Sequence, residues 1–307
     1  MIAGLTRRWH RRTRRWIKAV ALTAALLLAA AAAGECELRG ASALSLRWQA
    51  RRGAAAKLLC LGDSFTAGAG VAAGRSYPHQ LQGLLDQRYG AGRVQAIDGG
   101  QATANSSETL SLLDRTLRCG LRPDFVLVTA GADNLWNWRL ATPMFRGADS
   151  LERLRRATRG VRLLRFLDAA RENGVLAAKK LYFPNDANVN PLVAKLALTN
   201  ADWLKAWLID DVQAMARLCE AVHARLVLVG YPYPSPAVQG AQDILRGERG
   251  VLFVNAGNFG LPLDNDVRSL LQADGVRPNA AGFATVARLV ADALAPALDE
   301  KLNARRP

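Results

Sequence analysis

The stretch that most constrains this chain is Lys57 to Val71, KLLCLGDSFTAGAGV. A short apolar run, Leu58 to Leu61, stops at Gly62-Asp63-Ser64 and passes into small residues, the pattern of a buried strand turning sharply into a loop and then a helix. Ser64 then stands at the C-terminal end of the strand, where open α/β sheets present their chemistry on converging loops. Gly62 permits the tight corner, and the N-terminus of the next helix is expected to offer N–H groups to developing negative charge. The plainer reading of the same residues is an ordinary strand-to-helix turn with a serine cap.

The rest of the chain repeats this layout. Val94 to Ile97 is a second apolar run ending in Asp98-Gly99-Gly100, and Asn105-Ser106-Ser107-Glu108 carries a helix-capping signal. Phe125 to Ala130 is a third, followed by Gly131-Ala132-Asp133-Asn134, and Leu226 to Gly230 and Val251 to Asn255 are a fourth and fifth. Helices are expected around Leu81 to Leu85, Leu110 to Leu117, from Asn200 through the Trp203, Trp207, Leu208, Val212, Met215 and Cys219 stripe, and from Ala280 to about Leu298. Alternating strands and helices predict a parallel α/β sheet. Residues 139–200 exceed a minimal repeat and read as a helical insertion, either packed on the sheet or forming a lid over the crevice.

The charge of +15 is uneven. Seven of the 41 Lys and Arg precede residue 19, and the remaining 34 exceed the 26 acidic residues by only eight. No nucleic-acid partner is expected from so local an excess. The basic start, the uncharged run Ala19 to Ala33 and the small residues before Gly34 form a secretory signal peptide over residues 1–33, or an uncleaved membrane anchor with its basic end inside. Export to the periplasm or the extracellular space follows, with anchoring to the inner membrane as the second outcome. Residues 34–56 read as an exposed lead-in and 57–300 as the folded domain. Cys60 and Cys219 fall at buried positions, and Cys36 with Cys119 is the pair an exported chain could oxidise. Only His10, His79 and His223 occur and no Cys-x-x-Cys is present, so no metal site or cofactor is expected.

Gly62-Asp63-Ser64 resembles block I of the SGNH (GDSL) hydrolase family, and three further stretches resemble that family's later blocks in order. Asp98-Gly99-Gly100 with Asn105-Ser106 resembles block II, Gly131-Ala132-Asp133-Asn134 block III, and Asp274-Gly275-Val276-Arg277-Pro278-Asn279 block V. The resemblance implies a three-layer α/β/α sandwich with a parallel, flavodoxin-like sheet. It implies Ser64 as nucleophile and Asp274 as the aspartate that orients the catalytic histidine. It implies an oxyanion site from Ser64, Gly100 and an asparagine, for which Asn134 is the available side chain, and substrates that are ester or acetyl groups of lipids or glycans.

Asp98 and Thr103 depart from block II's usual asparagine and second glycine, where a backbone donor needs only a free N–H, and two further departures fall on catalytic groups. Asp133 stands where block III has its asparagine, and an ionised carboxylate cannot donate a hydrogen bond to an oxyanion. Arg277 stands where block V has its histidine, and a guanidinium cannot accept the serine proton. Opposite charges entering one crevice predict an ion pair of Arg277 with Asp274, Asp133 or both. The function is then either an exported serine esterase with impaired chemistry or a catalytically silent protein of this fold that binds an acylated or anionic envelope glycan.

Overall fold

The computed structural model describes residues 43–50, 53–102, 104–134, 201–233, 236–248, 250–263, 265–273 and 277–304, with scattered positions between 16 and 33. The insertion expected over 139–200, Asp274 and Cys36 lie outside the described residues.

Residues 1–42 form one unit, in which the described positions are helical and Trp16, Val20, Leu22 and Leu26 are exposed. Residues 43–307 form the other. Its strands are β1 (Ala56–Gly62), β2 (Val94–Gly100), β3 (Phe125–Thr129), β4 (Arg225–Val229) and β5 (Val251–Val254). Its helices are α1 (Tyr77–Tyr89), α2 (Ser106–Arg118), α3 (Ala201–Ala221), α4 (Pro236–Leu245) and α5 (Ala280–Asn303). All pairings are parallel in the order β2-β1-β3-β4-β5, the flavodoxin-like arrangement.

β1 and β3 are buried along nearly their whole length, without the in–out alternation of a half-solvated strand, because helices cover both faces of the sheet. α1 packs on α5, whereas α3 packs on both α2 and α4. The α3 stripe is core: Trp207, Leu208, Val212, Met215 and Cys219 are all buried. α5 is long and apolar enough to cross a membrane, but half of its most apolar window is buried against the sheet, as for a core helix.

Two local expectations change. Residues 43–49 of the lead-in are helical rather than irregular, and Ala43 and Leu46 join the core. No helix follows Ser64 directly: residues 63–71 are successive tight turns, closed by bonds such as Ala67 N–H to Asp63 O (3.0 Å) and Ala69 N–H to Ser64 O (2.9 Å). Gly68 and Gly70, at φ of +72° and +87°, hold the left-handed backbone that stops a helix there. The N–H groups near Ser64 therefore belong to turns, and the next helix begins only at Tyr77.

Cys60 and Cys219 are buried free thiols, the latter pushed up to about 12 by burial. Cys119 is an exposed free thiol, and Cys36, the partner expected for it, lies outside the described residues.

Candidate active site

In a 2-1-3-4-5 sheet the connections from β1 and β3 depart to opposite faces, which opens a crevice between their C-terminal ends. Ser64 follows β1 and Asp133 follows β3, so the crevice brings them together: Ser64 Oγ donates to Asp133 Oδ2 at 2.7 Å. The Ser64 N–H reaches the same oxygen at 3.4 Å. The corner needs its glycine, since a Cβ at Gly62 would collide with the Thr129 carbonyl oxygen and the Thr66 side chain.

Gly100 ends β2 beside the same turns, and a Cβ there would overlap the backbone of Thr66 and Ala67. Its N–H donates to Asp98 Oδ1 at 2.9 Å. Asp98 Oδ2 accepts from Ser76 Oγ at 3.1 Å and lies 3.2 Å from His79 Nδ1, which itself meets Ser76 Oγ at 2.9 Å. His79 thus serves the start of α1.

Asn134 is buried at 1% exposure, and its amide clasps Ser106 at the first turn of α2. Its Oδ1 accepts the Ser106 N–H at 2.7 Å and its Nδ2 donates to Ser106 Oγ at 2.9 Å. Ser106 Oγ and Ser107 Oγ in turn donate to Asp211 Oδ2 at 2.6 and 2.7 Å, and Trp207 Nε1 donates to Ser107 Oγ at 2.8 Å. The three donors assigned to an oxyanion, Ser64 N–H, Gly100 N–H and the Asn134 amide, all have protein acceptors in this state.

Behind Ser64 lies a buried acid. Asp63, 1% exposed, accepts the Phe65 N–H at 2.9 Å on Oδ1 and the Tyr231 hydroxyl on Oδ2. Tyr231 OH also accepts the Ala132 N–H at 3.2 Å. Burial drives the Asp63 carboxyl well above the ordinary carboxylate range, and the Asp133 charge adds to that push. Tyr231 and Tyr233 are pushed up first by burial and next by Asp63, so the rings beside the crevice stay neutral. Phe65 packs edge-on against both tyrosines at 5.6 and 6.5 Å between centroids, giving the site an aromatic wall.

The segment before α5 is strapped to the Ser64 turns. Gln272 Nε2 donates to Ala69 O at 2.9 Å and to Pro278 O at 2.8 Å, and Gln272 N–H donates to Arg277 O at 2.7 Å. Asn279 caps α5 through Ala281 N–H and Gly282 N–H. Arg277 sits on this strap and is exposed, and Asp274, one of the two partners expected for it, lies outside the described residues. His223 lies at the opposite, N-terminal edge, where it lines a cavity of about 1070 Å³ with Arg217, Arg225 and Glu248.

Sequence patterns located Ser64, Asp133 and Gly100 because each ends an apolar run. Tyr231, Asp211 and Gln272 carry no local signal, since their partners are 168, 105 and 203 residues away.

The model of the GDSL-like lipase/acylhydrolase family matches residues 60–285. No curated protein matches the chain. Similar solved structures include a family 3 carbohydrate esterase from Clostridium thermocellum, 15% identical with a TM-score of 0.45, covering 80% of this chain and 98% of that one. The psychrotrophic esterase EstA from a Pseudoalteromonas species is 15% identical with a TM-score of 0.48, covering 79% and 98%. A GDSL-like lipase from Bacteroides thetaiotaomicron is 12% identical with a TM-score of 0.47, covering 84% and 98%.

Proposed function

Because the chain belongs to the GDSL-like lipase/acylhydrolase family, we propose that it is an exported serine ester hydrolase acting on ester or acetyl groups of lipids or glycans, with slow chemistry. The observation that carries this reading is the Ser64 hydroxyl held on Asp133 Oδ2 at the sheet's switch point, with the aromatic wall of Phe65, Tyr231 and Tyr233 beside it. A nucleophile placed at this edge, next to a group that takes its hydrogen bond, is the arrangement acyl transfer needs.

Slow turnover is supported by the arginine at 277 and by the internal partners of Gly100 N–H and the Asn134 amide. An oxyanion would have to displace those partners, and one such donor is worth about 10²–10³ in rate. The same observation favours a second reading, a catalytically silent fold that binds an acylated or anionic envelope glycan.

A fluorophosphonate probe with short-chain nitrophenyl esters separates the two. Labelling of wild type at Ser64, with ester turnover lost in Ser64→Ala, supports the hydrolase. Wild type that resists the probe and turns over no ester identifies the silent fold. Export is supported by the basic and then uncharged N-terminus, with Trp16, Val20, Leu22 and Leu26 exposed in its own unit. The mass of the mature chain in the envelope fraction distinguishes cleavage near Gly34 from an intact anchor.

A further inference from the structure

Among the described residues, neither histidine is placed as a base for Ser64. His223 is at the far edge of the sheet, His79 directs Nδ1 to Ser76 and Asp98, and His10 precedes the domain. Asp133, in contrast, touches the reacting oxygen.

Resting on the reading of the chain as a serine hydrolase, we propose that Asp133 is the catalytic base of Ser64, taking the hydroxyl proton directly onto Oδ2. The 2.7 Å contact lies inside the range of about 2.6–3.2 Å within which a base can abstract a proton. The backbone around Asp133 is fixed on both sides. Ala132 N–H is tied to Tyr231 OH, and Asn134 is clasped to Ser106. A base held on so rigid a loop keeps its alignment.

The groups that face Asp133 favour this role. Ser64 and Asp63 meet it from the corner after β1, and Tyr233 from the loop after β4. Burial pushes the Asp63 carboxyl up and its two oxygens take the Phe65 N–H and the Tyr231 hydroxyl, so of the two neighbouring carboxyl groups Asp133 is the one that takes the serine hydroxyl. Neighbouring acids whose environments differ in this way divide into a proton holder and a proton acceptor.

The step balances without a cofactor. Ser64 Oγ forms a bond to the ester carbonyl carbon as its proton passes to Asp133 Oδ2, and the carbonyl electron pair moves to oxygen. Collapse of that intermediate breaks the bond to the leaving alcohol, which takes the proton from Asp133. Water then gives a proton to Asp133 and attacks the acyl carbon. The acyl bond to Oγ breaks, the acid leaves, and Ser64 regains its proton. Aspartate is a weaker base than imidazole, which fits slow turnover.

The test is the rate of fluorophosphonate labelling of Ser64 across pH. Wild type should lose rate on acidification as Asp133 takes up a proton. Asp133→Asn, which still accepts the serine hydrogen bond, should label about 10²-fold or more slowly and lose that acid limb. Asp133→Ala should be partly rescued by added formate, a readout that a purely structural role would not move. An Asp133→Asn protein that labels as fast as wild type, or faster, overturns the proposal and leaves the hydrolase reading intact. Slower labelling with the acid limb unchanged and no formate rescue also overturns it. Wild type that never labels removes both.

Discussion

The Asn134 amide and Ser106 form a two-way clasp, with Asn134 Oδ1 accepting the Ser106 N–H at 2.7 Å and Nδ2 donating to Ser106 Oγ at 2.9 Å. It joins the loop after β3 to the first turn of α2, where Asn105 and Glu108 already form a capping box. The Ser106 N–H is buried and finds its acceptor in a different element of the fold.

Asn134→Ala is therefore expected to act on stability. Removing one partner from a buried donor costs about 1–3 kcal/mol, and urea denaturation should show a loss of that size. A residue serving mainly as an oxyanion donor would lose about 10²–10³ in rate with its stability unchanged. That second outcome would return Asn134 to the oxyanion role implied by the family pattern.

Asp63 predicts a pH dependence of stability. Its carboxyl is raised in the folded protein above the unfolded value of about 3.9, so the unfolded chain ionises first as pH rises. The contribution of Asp63 is complete below about pH 4 and is lost progressively as pH climbs toward the raised value. The unfolding free energy of wild type minus that of Asp63→Asn should fall with pH across this window. A difference that stays level from acid to neutral pH would mean that Asp63 is ionised in the folded state.

Arg277→His places an imidazole on the strap that Gln272 ties to the Ser64 turns. Ester hydrolysis is expected to rise, within the range of about 10²–10⁴ that a general base contributes. Once a histidine serves, Asp133 is dispensable as base and still opposes an oxyanion. Arg277→His combined with Asp133→Asn should then exceed Arg277→His alone. Equal or lower turnover in the double variant would mean that Asp133 is needed even beside an imidazole. No gain from Arg277→His would mean that the strap does not deliver residue 277 to the serine.

What the sequence determined by itself is local. Apolar runs at Leu58, Val94, Phe125, Leu226 and Val251 specify strands because each is too short and too β-prone for a helix, and each ends at Gly or a turn residue. The Asn105–Glu108 cap is legible because its partners are three residues apart. The positions of Ser64 and Asp133 at the sheet's C-terminal edge follow from the same rule. Tertiary structure decided which strand ends become neighbours, because parallel pairing between distant segments sets the order β2-β1-β3-β4-β5 and leaves no trace in any single window. It decided that Asp133 meets the Ser64 hydroxyl and that Asp63 is buried against Tyr231. A carboxylate reads alike in sequence whether it repels an oxyanion, caps a turn as Asp98 does, or accepts a proton. Only the three-dimensional partners, and the water that packing removes, separate those roles.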